Sequence, residues 1–332
     1  MEAVSYADNR HVLSNADLFS SIFPGRDGKL FTAGLILQDP PRHTQLRSLL
    51  NPAFTPKAVA YLIPCIREIA HELLDNAMKQ GEMDLLADVA IPLAERIILE
   101  HLGIPCEDRR FIFYGARSIF QVTPEFARYS ANLFRRHQQK ASQDIISMLL
   151  EARIGENKLG LQELTALIHQ LLVAGRDTVA YLICSGMYGL SADPETIEVL
   201  RAHPLLISGA LEETLRLYPS FPRVMRRAVR DTEVGGQPVR AGQTVLCLLD
   251  KGNRDEVQFT QPDVLDMQRT PNKHIAFGYG EHFCIGAALG RLEAQIALEV
   301  MIERLPVMKI QREFQPALLP GGLFGLKRLV VT

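Results

Sequence analysis

The sequence predicts a mainly α-helical protein with a small β part near its C-terminal end. Between residues 56 and 218, apolar side chains recur at the spacing of a buried helix face. Short apolar runs bounded by glycines, which predict strands, come only after residue 230. The 332 residues contain no internal repeat and no low-complexity linker. We therefore expect a single domain over residues 1–332.

The composition predicts a soluble, cytoplasmic protein. Apolar residues make up 47% of the chain and charged residues 22%, as in an ordinary globular protein. The 36 Lys and Arg residues nearly balance the 38 Asp and Glu residues, so nothing suggests nucleic acid as a partner. The five cysteines are widely spaced, which argues against a disulfide framework. We see no signal-peptide pattern and no uninterrupted apolar run that would cross a bilayer.

Several segments have the spacing of amphipathic helices. They lie at residues 56–80, 84–102, 107–116 and 124–151. The stretch 161–190 is the longest and most apolar, so we expect it to run buried through the middle of the molecule. Asp193 is a good N-cap and Pro194 suits the first helical position, so another helix should begin there. A further helix is expected over residues 207–218, before Pro219.

The predicted strands cluster toward the C-terminus. Residues 232–239 predict a hairpin that turns at Gly235-Gly236, and residues 244–249 predict the strand that follows it. Two short terminal strands are also expected, at residues 307–310 and 326–332.

One cysteine stands at the end of a glycine-containing loop, in the stretch Phe-Gly-Tyr-Gly-Glu-His-Phe-Cys-Ile-Gly at residues 277–286. Apolar residues recur at helical spacing from Ile285 onward. Cys284 therefore lies where a helix begins and where unpaired N–H groups favour a thiolate. Gly278 and Gly280 would let the backbone take positive φ and approach a flat ligand. A lone soft sulfur on an open face suits haem iron better than zinc.

Taken alone, Cys284 would more often be a buried core cysteine, and a zinc site with His282 lacks a second pair of ligands. The whole stretch, however, resembles the haem-binding signature Phe-Gly-x-Gly-x-His-x-Cys-x-Gly of the cytochrome P450 family, and it matches all six specified positions. The resemblance implies the triangular helical haem domain of that family, haem b as cofactor, and Cys284 as the iron ligand. It also implies that Phe277, Gly278 and Gly286 shape the loop around the haem.

A second motif, Ala174-Gly175-Arg176-Asp177-Thr178, lies inside the long apolar helix. Taken alone, Thr178 would bond back to a carbonyl one turn earlier and Asp177 would pair with a nearby cation. The segment resembles the family's Ala/Gly-Gly-x-Asp/Glu-Thr oxygen-activation motif. The resemblance implies that Ala174 contacts the haem and that Gly175 opens the helix beside the iron. It further implies that Thr178 hydrogen-bonds dioxygen and that Asp177 relays protons for cleavage of the O–O bond.

Glu213 and Arg216 match the family's Glu-x-x-Arg pattern and share one helical face. The pattern is common by chance, but its position between the Asp-Thr helix and the cysteine loop supports it. It implies a structural pair that holds the chain leading to Cys284. In many relatives the arginine of a Pro-Asp-Arg-Phe segment completes this network, and here Val264 stands in its place. Either another cation replaces that arginine or the network is smaller.

Four basic residues match the positions that bind the haem propionates in this family. They are His43, Arg47, Arg226 and His274. Each of them alone would more often be a solvated surface charge. The match of all four in the family's order favours propionate binding, because carboxylates that leave water need cations or donors.

The resemblance covers nearly the whole chain, from about Tyr6 onward. Family members usually carry several dozen residues before that point, which form a first helix and the opening strands of the main sheet. We therefore expect an N-terminally shortened fold with an unpaired sheet edge. The chain would be either a minimal enzyme with an open substrate channel or a copy that binds haem but turns over poorly.

The resemblance implies a bacterial-type haem-thiolate monooxygenase, which hydroxylates or epoxidises an apolar small molecule with one oxygen atom from O₂. Electrons would come from a ferredoxin or flavodoxin with its reductase, docked near Arg42, Arg47 and Arg291. The implied substrate pocket includes Val173, Val179, Phe221, Arg223, Val224 and Phe324. Among these, Arg223 could meet a carboxylate, or it could be a surface arginine. Two alternatives stay open, a non-catalytic haem-binding sensor and a peroxide-driven peroxygenase, and the intact Asp177-Thr178 pair argues against the second.

Overall fold

The computed structural model describes residues 1–23, 34–79, 81–109, 112–113, 121–140, 142–305, 310, 315–319 and 322–331. Within these residues the α-helices are α1 (Tyr6–Ser14), α2 (Arg42–Leu50), α3 (Pro56–Val59), α4 (Ile63–Met78), α5 (Ile91–Leu102), α6 (Pro124–Gln139), α7 (Ile145–Glu151), α8 (Leu161–Leu190), α9 (Pro194–Ala202), α10 (Ile207–Leu217), α11 (Leu249–Gly252) and α12 (Ala287–Arg304). The predicted mainly helical fold is confirmed.

Helix boundaries depart from the predictions where a capping residue intervenes. The predicted helix at 124–151 is two helices, because the side chain of Asp144 accepts the N–H of Ser147 and starts α7. The predicted helix at 84–102 begins as a π-helical turn, Leu85–Ala90, before α5. The prediction at 107–116 lies mostly outside the described residues. Asp193 caps α9 through the N–H of Glu195, as predicted.

Helix α8 is the centre of the fold, as its length and apolar sequence predicted. Its 30 residues pack against α5, α6, α10 and α12. By length and hydropathy alone α8 could cross a membrane, which the sequence analysis did not anticipate. Most of its apolar side chains are buried inside the fold, however, as in the core helices of water-soluble proteins.

The strands form one small sheet and four two-stranded pairs among the described residues. They are β1 (Glu2–Ala3), β2 (Phe19–Ser20), β3 (Met83–Asp84), β4 (Arg153–Ile154), β5 (Asn157–Lys158), β6 (Arg223–Ala228), β7 (Thr232–Val234), β8 (Gln237–Val239), β9 (Thr244–Leu248), β10 (Ala317–Leu318), β11 (Phe324–Gly325) and β12 (Val330–Val331). The larger sheet has the order β1-β9-β6-β2, in which β1 is parallel to β9 and the other pairs are antiparallel.

The predicted hairpin is confirmed as β7 and β8, and its turn residues Gly235 and Gly236 both have positive φ. The strand predicted after it, β9, pairs with β6 and β1 instead of with the hairpin. The sequence analysis did not predict β6 as a strand, because its run of arginines hides the alternation. Strand β12 pairs with β3, and Ile310 forms a bridge to Val331.

Candidate active site

The cysteine loop, residues 277–286, is closed by its own backbone. The N–H of Cys284 donates to the carbonyl oxygen of Phe277 at 2.8 Å, which joins the two ends of the loop. Gly278 and Gly280 have φ values of 74° and 72°, in the left-handed region that favours glycine. A side chain at Gly280 would also lie 2.4 Å from the carbonyl oxygen of Leu13 in α1. The backbone therefore requires glycine here.

Cys284 lies two residues before Gly286, the N-cap of α12. The residue is solvent-exposed, yet enough protein surrounds the sulfur for burial to raise the pKa of its thiol. The N–H of Gly286 and the charges of Arg47 and Arg291 act in the opposite direction. Because burial is the larger effect, the helix start alone does not make the thiolate the stable form, contrary to the expectation from the sequence. A cation bound at the sulfur would, since coordinated thiols lose their proton.

The middle of α8 is open to solvent. Ala174 is exposed and Thr178, one turn later on the same face, is partly exposed, although the turns on either side are buried. The next residue, Val179, packs against α12 shortly after Cys284, since a Cβ at Gly290 would lie 3.7 Å from its Cγ2. This contact holds the open turn of α8 next to the cysteine loop.

Gly175 does not open the helix. A side chain there would lie 2.9 Å from both Cγ1 and Cδ1 of Ile98 in α5, so glycine lets α5 and α8 pack closely. Helix α8 is α-helical without a break from Leu161 to Leu190. The helix has no break at Gly175, which serves a helix–helix contact, and the role of Gly175 beside the iron stays a prediction.

Thr178 and Asp177 form the contacts of an ordinary helix. The Thr178 hydroxyl donates to the carbonyl oxygen of Ala174 at 2.5 Å. The Asp177 carboxylate pairs with Arg176 at 2.7 Å, and Arg176 also lies 3.8 Å from Glu95 of α5. A hydroxyl that donates its one hydrogen bond to a carbonyl keeps two lone pairs that can accept hydrogen bonds. As placed, Thr178 can accept a further hydrogen bond but cannot donate one.

Three segments far apart in the sequence meet beside Thr178. The hydroxyl of Ser220 donates to the carbonyl oxygen of Thr178 at 2.8 Å, and the carbonyl oxygen of Ser220 accepts the N–H of Phe324 at 2.9 Å. A Cβ at Gly325 would lie 2.5 Å from the ring of Tyr181 in α8. The helix, the segment after α10 and the C-terminal turn are thus brought together. The linking role of Ser220 was not predicted from the sequence, although its position directly after Pro219, where α10 has ended, was an available signal.

The predicted pocket residues divide into two groups. Those that are partly exposed and lie in these three segments are Val173, Phe221, Val224 and Phe324. Val179 is only 7% exposed and lies in the core, and its place in the pocket stays a prediction. In β6 the alternation of faces puts Val224 on the same side as Arg226 and puts Arg223 on the other side. Arg223 is exposed, which fits a surface arginine better than a carboxylate anchor.

His43 and Arg226 are buried polar groups without acidic partners among the described residues. His43 is 1% exposed, and neither of its ring nitrogens has a hydrogen bond. Burial, followed by the charges of Arg47 and Arg226, lowers the pKa of His43 to about 4. Arg226 is buried and donates to the carbonyl oxygen of Met225 at 2.9 Å, but it forms no ion pair with a described residue. Burial lowers the pKa of Arg226 as well.

Arg47 and His274, the other two predicted propionate ligands, are bonded to the protein. Arg47 donates to the carbonyl oxygens of Glu281 and Phe283 at 2.8 and 2.5 Å, so it braces the cysteine loop. His274 places Nε2 3.0 Å from Oε2 of Glu212, and its Nδ1 accepts a backbone N–H at 3.2 Å. Both ring nitrogens of His274 are thus engaged, and its binding of a propionate stays a prediction.

These residues fit a haem. Cys284 is exposed and has a backbone donor beside its sulfur, and the open turn of α8 carries the small, exposed side chain of Ala174. The unpartnered imidazole of His43 and the unpaired guanidinium of Arg226 suit the two carboxylates of haem, because buried polar groups without partners are costly. An open groove of about 300 Å³ is lined by His43, Arg47 and Glu281 among others.

The Glu-x-x-Arg pair is fully buried and bonds at two points. Arg216 Nε lies 2.6 Å from Glu213 Oε1, and Nη2 lies 2.8 Å from Oε2. Arg216 also donates to the carbonyl oxygens of Asn253 and Val264 at 3.0 and 2.9 Å. Arg269 supplies the cation that Val264 lacks, with its Nε 3.0 Å from Glu213 Oε1. The network therefore keeps a second arginine, which the sequence analysis left unidentified.

Comparison with known proteins gives a consistent result. The family model described as Cytochrome P450 matches residues 110–328. The putative cytochrome P450 YjiB of Bacillus subtilis (strain 168) is 38% identical over 92% of this chain and 81% of that protein. The mycinamicin IV hydroxylase/epoxidase of Micromonospora griseorubida is 37% identical over 92% of this chain and 82% of that protein. The crystal structure of CYP109B1 from Bacillus subtilis is 36% identical, with a TM-score of 0.89, and the match covers 100% of this chain and 92% of that chain.

The fold and the site together define a bacterial-type haem-thiolate monooxygenase. The chain belongs to the cytochrome P450 family. The predicted fold is confirmed by the structural neighbours, which cover the chain from end to end. Relatives named as a hydroxylase/epoxidase and as an epoxidase do not favour the sensor or the peroxygenase that the sequence had left open.

Proposed function

We propose that Cys284 binds the iron of haem b and that the protein oxygenates an apolar small molecule. The observation that carries this proposal is that Cys284 is exposed just before α12, and that α12 packs against α8 at Val179, beside the partly exposed Thr178. Haem, when bound, supplies the iron at which dioxygen is reduced, and thiolate ligation assists O–O cleavage. We propose the whole chain as one domain, working in the cytoplasm.

The chain's own residues would hold the cofactor in three ways. Phe277, Gly278 and Gly286 set the loop that presents the sulfur, and Gly286 also gives it a backbone donor. His43 and Arg226 would bind the propionates, since each is buried without an anionic partner among the described residues. Arg47 would hold the loop from the outside through its two carbonyl contacts.

Proton supply would run through Thr178 and Asp177. The Thr178 hydroxyl donates its hydrogen bond to the carbonyl oxygen of Ala174, so it would act as an acceptor that orients a donor beside it, such as a water molecule. Asp177 is partly exposed, so solvent can reach its carboxylate, and its ion pair with Arg176 holds the side chain in place. Removing the Thr178 hydroxyl should therefore misdirect protons without disturbing the fold.

A ferredoxin or flavodoxin, reduced by its reductase, would deliver the electrons on the cysteine side. Of the three arginines expected there, Arg42 is paired with Glu163 and Arg291 with Glu212. Arg47 forms no ion pair with a described residue and lies beside Phe283, whose side chain is 40% exposed. An acidic group of the electron donor would therefore meet Arg47 first.

The substrate would be an apolar small molecule, because the partly exposed residues of the pocket segments, Val173, Phe221, Val224 and Phe324, are all apolar. CYP109E1 from Bacillus megaterium, a structural neighbour at 30% identity, was crystallised with testosterone and with corticosterone. Rigid apolar compounds of that kind are a reasoned starting set. A change of haem spin state on addition would identify ligands.

The test compares wild type with Thr178→Ala and Thr178→Ser, supplied with a surrogate ferredoxin, its reductase and NADPH. We expect the Ala variant to consume NADPH but to form at least about tenfold less product per NADPH, and the Ser variant to keep most of the yield. Equal yields in wild type and the Ala variant would contradict the proton role. No product from any compound that changes the spin state, with either NADPH or peroxide, would contradict the oxygenase proposal.

A further inference from the structure

Four side chains form a cluster directly behind the cysteine loop. Arg291 of α12 bonds to Glu212 of α10 at two points, Nε to Oε1 at 2.7 Å and Nη2 to Oε2 at 2.9 Å. His274 adds a third contact, with Nε2 3.0 Å from Glu212 Oε2. The guanidinium carbon of Arg291 lies 4.5 Å from the centroid of the Phe277 ring. Glu212 is therefore the centre of a clamp on both sides of the loop entrance.

The clamp acts on the backbone that positions the sulfur. Phe277 is the residue whose carbonyl oxygen accepts the N–H of Cys284. Arg291 stacks on the ring of Phe277 and is held there by Glu212, a geometry suited to the planar guanidinium. His274 precedes the loop and binds the same carboxylate. Through these contacts Glu212 fixes where Arg291 lies relative to Cys284.

The clamp also contributes to the charge that acts on the sulfur. The positive charge of Arg291 acts on the Cys284 sulfur, after the larger effects of the Gly286 N–H and of Arg47. Burial raises the pKa of Glu212, but hydrogen bonds from His274 and Arg291 outweigh burial and lower the pKa to about 2. Glu212 is therefore charged near neutral pH, and its charge offsets that of Arg291. The net charge that this pair exerts on the sulfur therefore depends on both Glu212 and Arg291.

We propose that Glu212 is a positioning residue of the haem site. It holds Arg291 against Phe277 and limits the positive charge that Arg291 exerts on the Cys284 sulfur, and so it sets the reduction potential of the bound iron. The inference rests on the proposed ligation of iron by Cys284. It predicts that loss of Glu212 and loss of Arg291 shift the reduction potential in opposite directions. Loss of Glu212 leaves more positive charge and favours the reduced form, whereas loss of Arg291 favours the oxidised form.

The experiment is a redox titration of the haem-loaded protein and its variants Glu212→Gln and Arg291→Gln. At a fixed potential we expect the ratio of reduced to oxidised protein to rise about threefold or more in Glu212→Gln and to fall by a similar factor in Arg291→Gln. Glu299→Gln is the matched control. Glu299 lies further along α12, and its carboxylate pairs with Arg67 of α4. Its replacement should leave the ratio of reduced to oxidised protein unchanged. Shifts of the same sign in both variants, or no shift in either, would overturn the inference.

Two further measurements keep the outcomes distinct. If Glu212→Gln does not retain haem, Arg291→Lys carries the test. Lys keeps the charge but loses the two-point contact, so its ratio must lie between those of wild type and Arg291→Gln. A ratio as low as that of Arg291→Gln would refute the charge argument. The spectrum of the reduced wild type with carbon monoxide reports thiolate ligation separately. Absence of the thiolate band would contradict the proposed function. A normal spectrum, with the same ratio of reduced to oxidised protein in wild type and variants, would contradict only this inference.

Discussion

At the scale of single residues, Glu293 is an ionisable group placed where charge is costly. It lies in α12, it is 1% exposed, and its Oε2 has no hydrogen-bond partner among the described residues. Burial raises the pKa of Glu293 well above its ordinary value. A group with a raised pKa in the fold contributes its full stability below the unfolded pKa. That contribution is lost as the pH rises through the folded pKa. Alkaline pH should therefore weaken the fold at this residue.

The variant Glu293→Gln keeps the shape of the side chain but cannot ionise. We expect its free energy of unfolding at pH 8 to exceed that of wild type by on the order of 1 kcal/mol, with a melting temperature roughly 1 to 3 °C higher. Below pH 4 the two proteins should differ little. Thermal unfolding between pH 4 and pH 8 measures this. Glu303→Gln, an exposed change on the same helix, is the control, and an equal pH dependence in Glu293→Gln and wild type would refute the argument.

Residue roles were predictable from the sequence only where a local pattern encoded them. Gly278, Gly280 and the buried Glu213–Arg216 pair were found because their spacing is fixed along the chain. Arg269 was missed, because its contact with Glu213 is made by folding and has no fixed spacing. The propionate role of His274 rested on position alone, and its contact with Glu212 was not visible in the sequence.

At the scale of elements, two helical glycines set how closely neighbouring segments approach. A Cβ at Gly209 of α10 would lie 2.0 Å from the carbonyl oxygen of Met267. This oxygen is a backbone atom, so it can move away only if the backbone shifts. A Cβ at Gly290 of α12 would find its nearest neighbour, Val179 Cγ2, at 3.7 Å, an ordinary contact. The same substitution should therefore have opposite effects at these two positions.

We expect Gly209→Ala to lower the free energy of unfolding by about 2 kcal/mol or more, because the overpacking outweighs the gain in helix propensity. Gly290→Ala should be unchanged or more stable by up to about 1 kcal/mol. Urea denaturation of the two variants beside wild type provides the comparison. An equal loss of unfolding free energy in both variants would show that the close contact at Gly209 does not determine the effect of the substitution.

The Glu213 network makes a second prediction at this scale. Arg269→Gln removes one of the two arginines bonded to a fully buried carboxylate, so we expect a loss of about 1 to 3 kcal/mol and faster loss of haem. Arg240→Gln breaks an exposed pair with Asp231 and should have a much smaller effect, because water screens exposed charges. Denaturation and the rate of haem transfer to an acceptor protein measure both effects. Equal small losses would mean that Arg269 does not complete the network.

Element prediction succeeded where periodicity is local and failed where pairing is distant. Helices α8 and α10 were expected almost to the residue, because a long apolar face needs no partner to be recognised. Strand β6 was missed, since its arginine-rich sequence becomes a strand only by pairing with β9 and β2.

At the scale of the whole molecule, buried histidines make the fold sensitive to acid. Burial lowers the pKa of His101 and of His169 to about 4, and neither ring nitrogen of His169 has a partner among the described residues. For a histidine with a lowered pKa, stability is present above the unfolded value near 6.5 and is lost as the pH falls through the folded value. Stability should thus decline between about pH 6.5 and pH 4.

The variant His169→Leu tests this decline. It removes a group that must be protonated on unfolding in acid, and it leaves an apolar side chain beside Phe126. We expect its midpoint of acid unfolding to lie roughly 0.3 to 1 pH units below that of wild type. Circular dichroism followed from pH 7 to pH 3 gives the midpoint. The exposed change His203→Leu should leave the midpoint where it is, and a similar shift in both variants would contradict the assignment to burial.

The central claim is that the sulfur of Cys284 holds the haem iron. The absorption spectrum of the reduced, carbon-monoxide-bound protein tests it most directly, because thiolate ligation gives a characteristic red-shifted band. We expect that band in wild type and in Cys65→Ala, and we expect it to be absent from Cys284→Ala protein whose circular dichroism shows it folded. A folded Cys284→Ala variant that keeps the red-shifted band would contradict the claim.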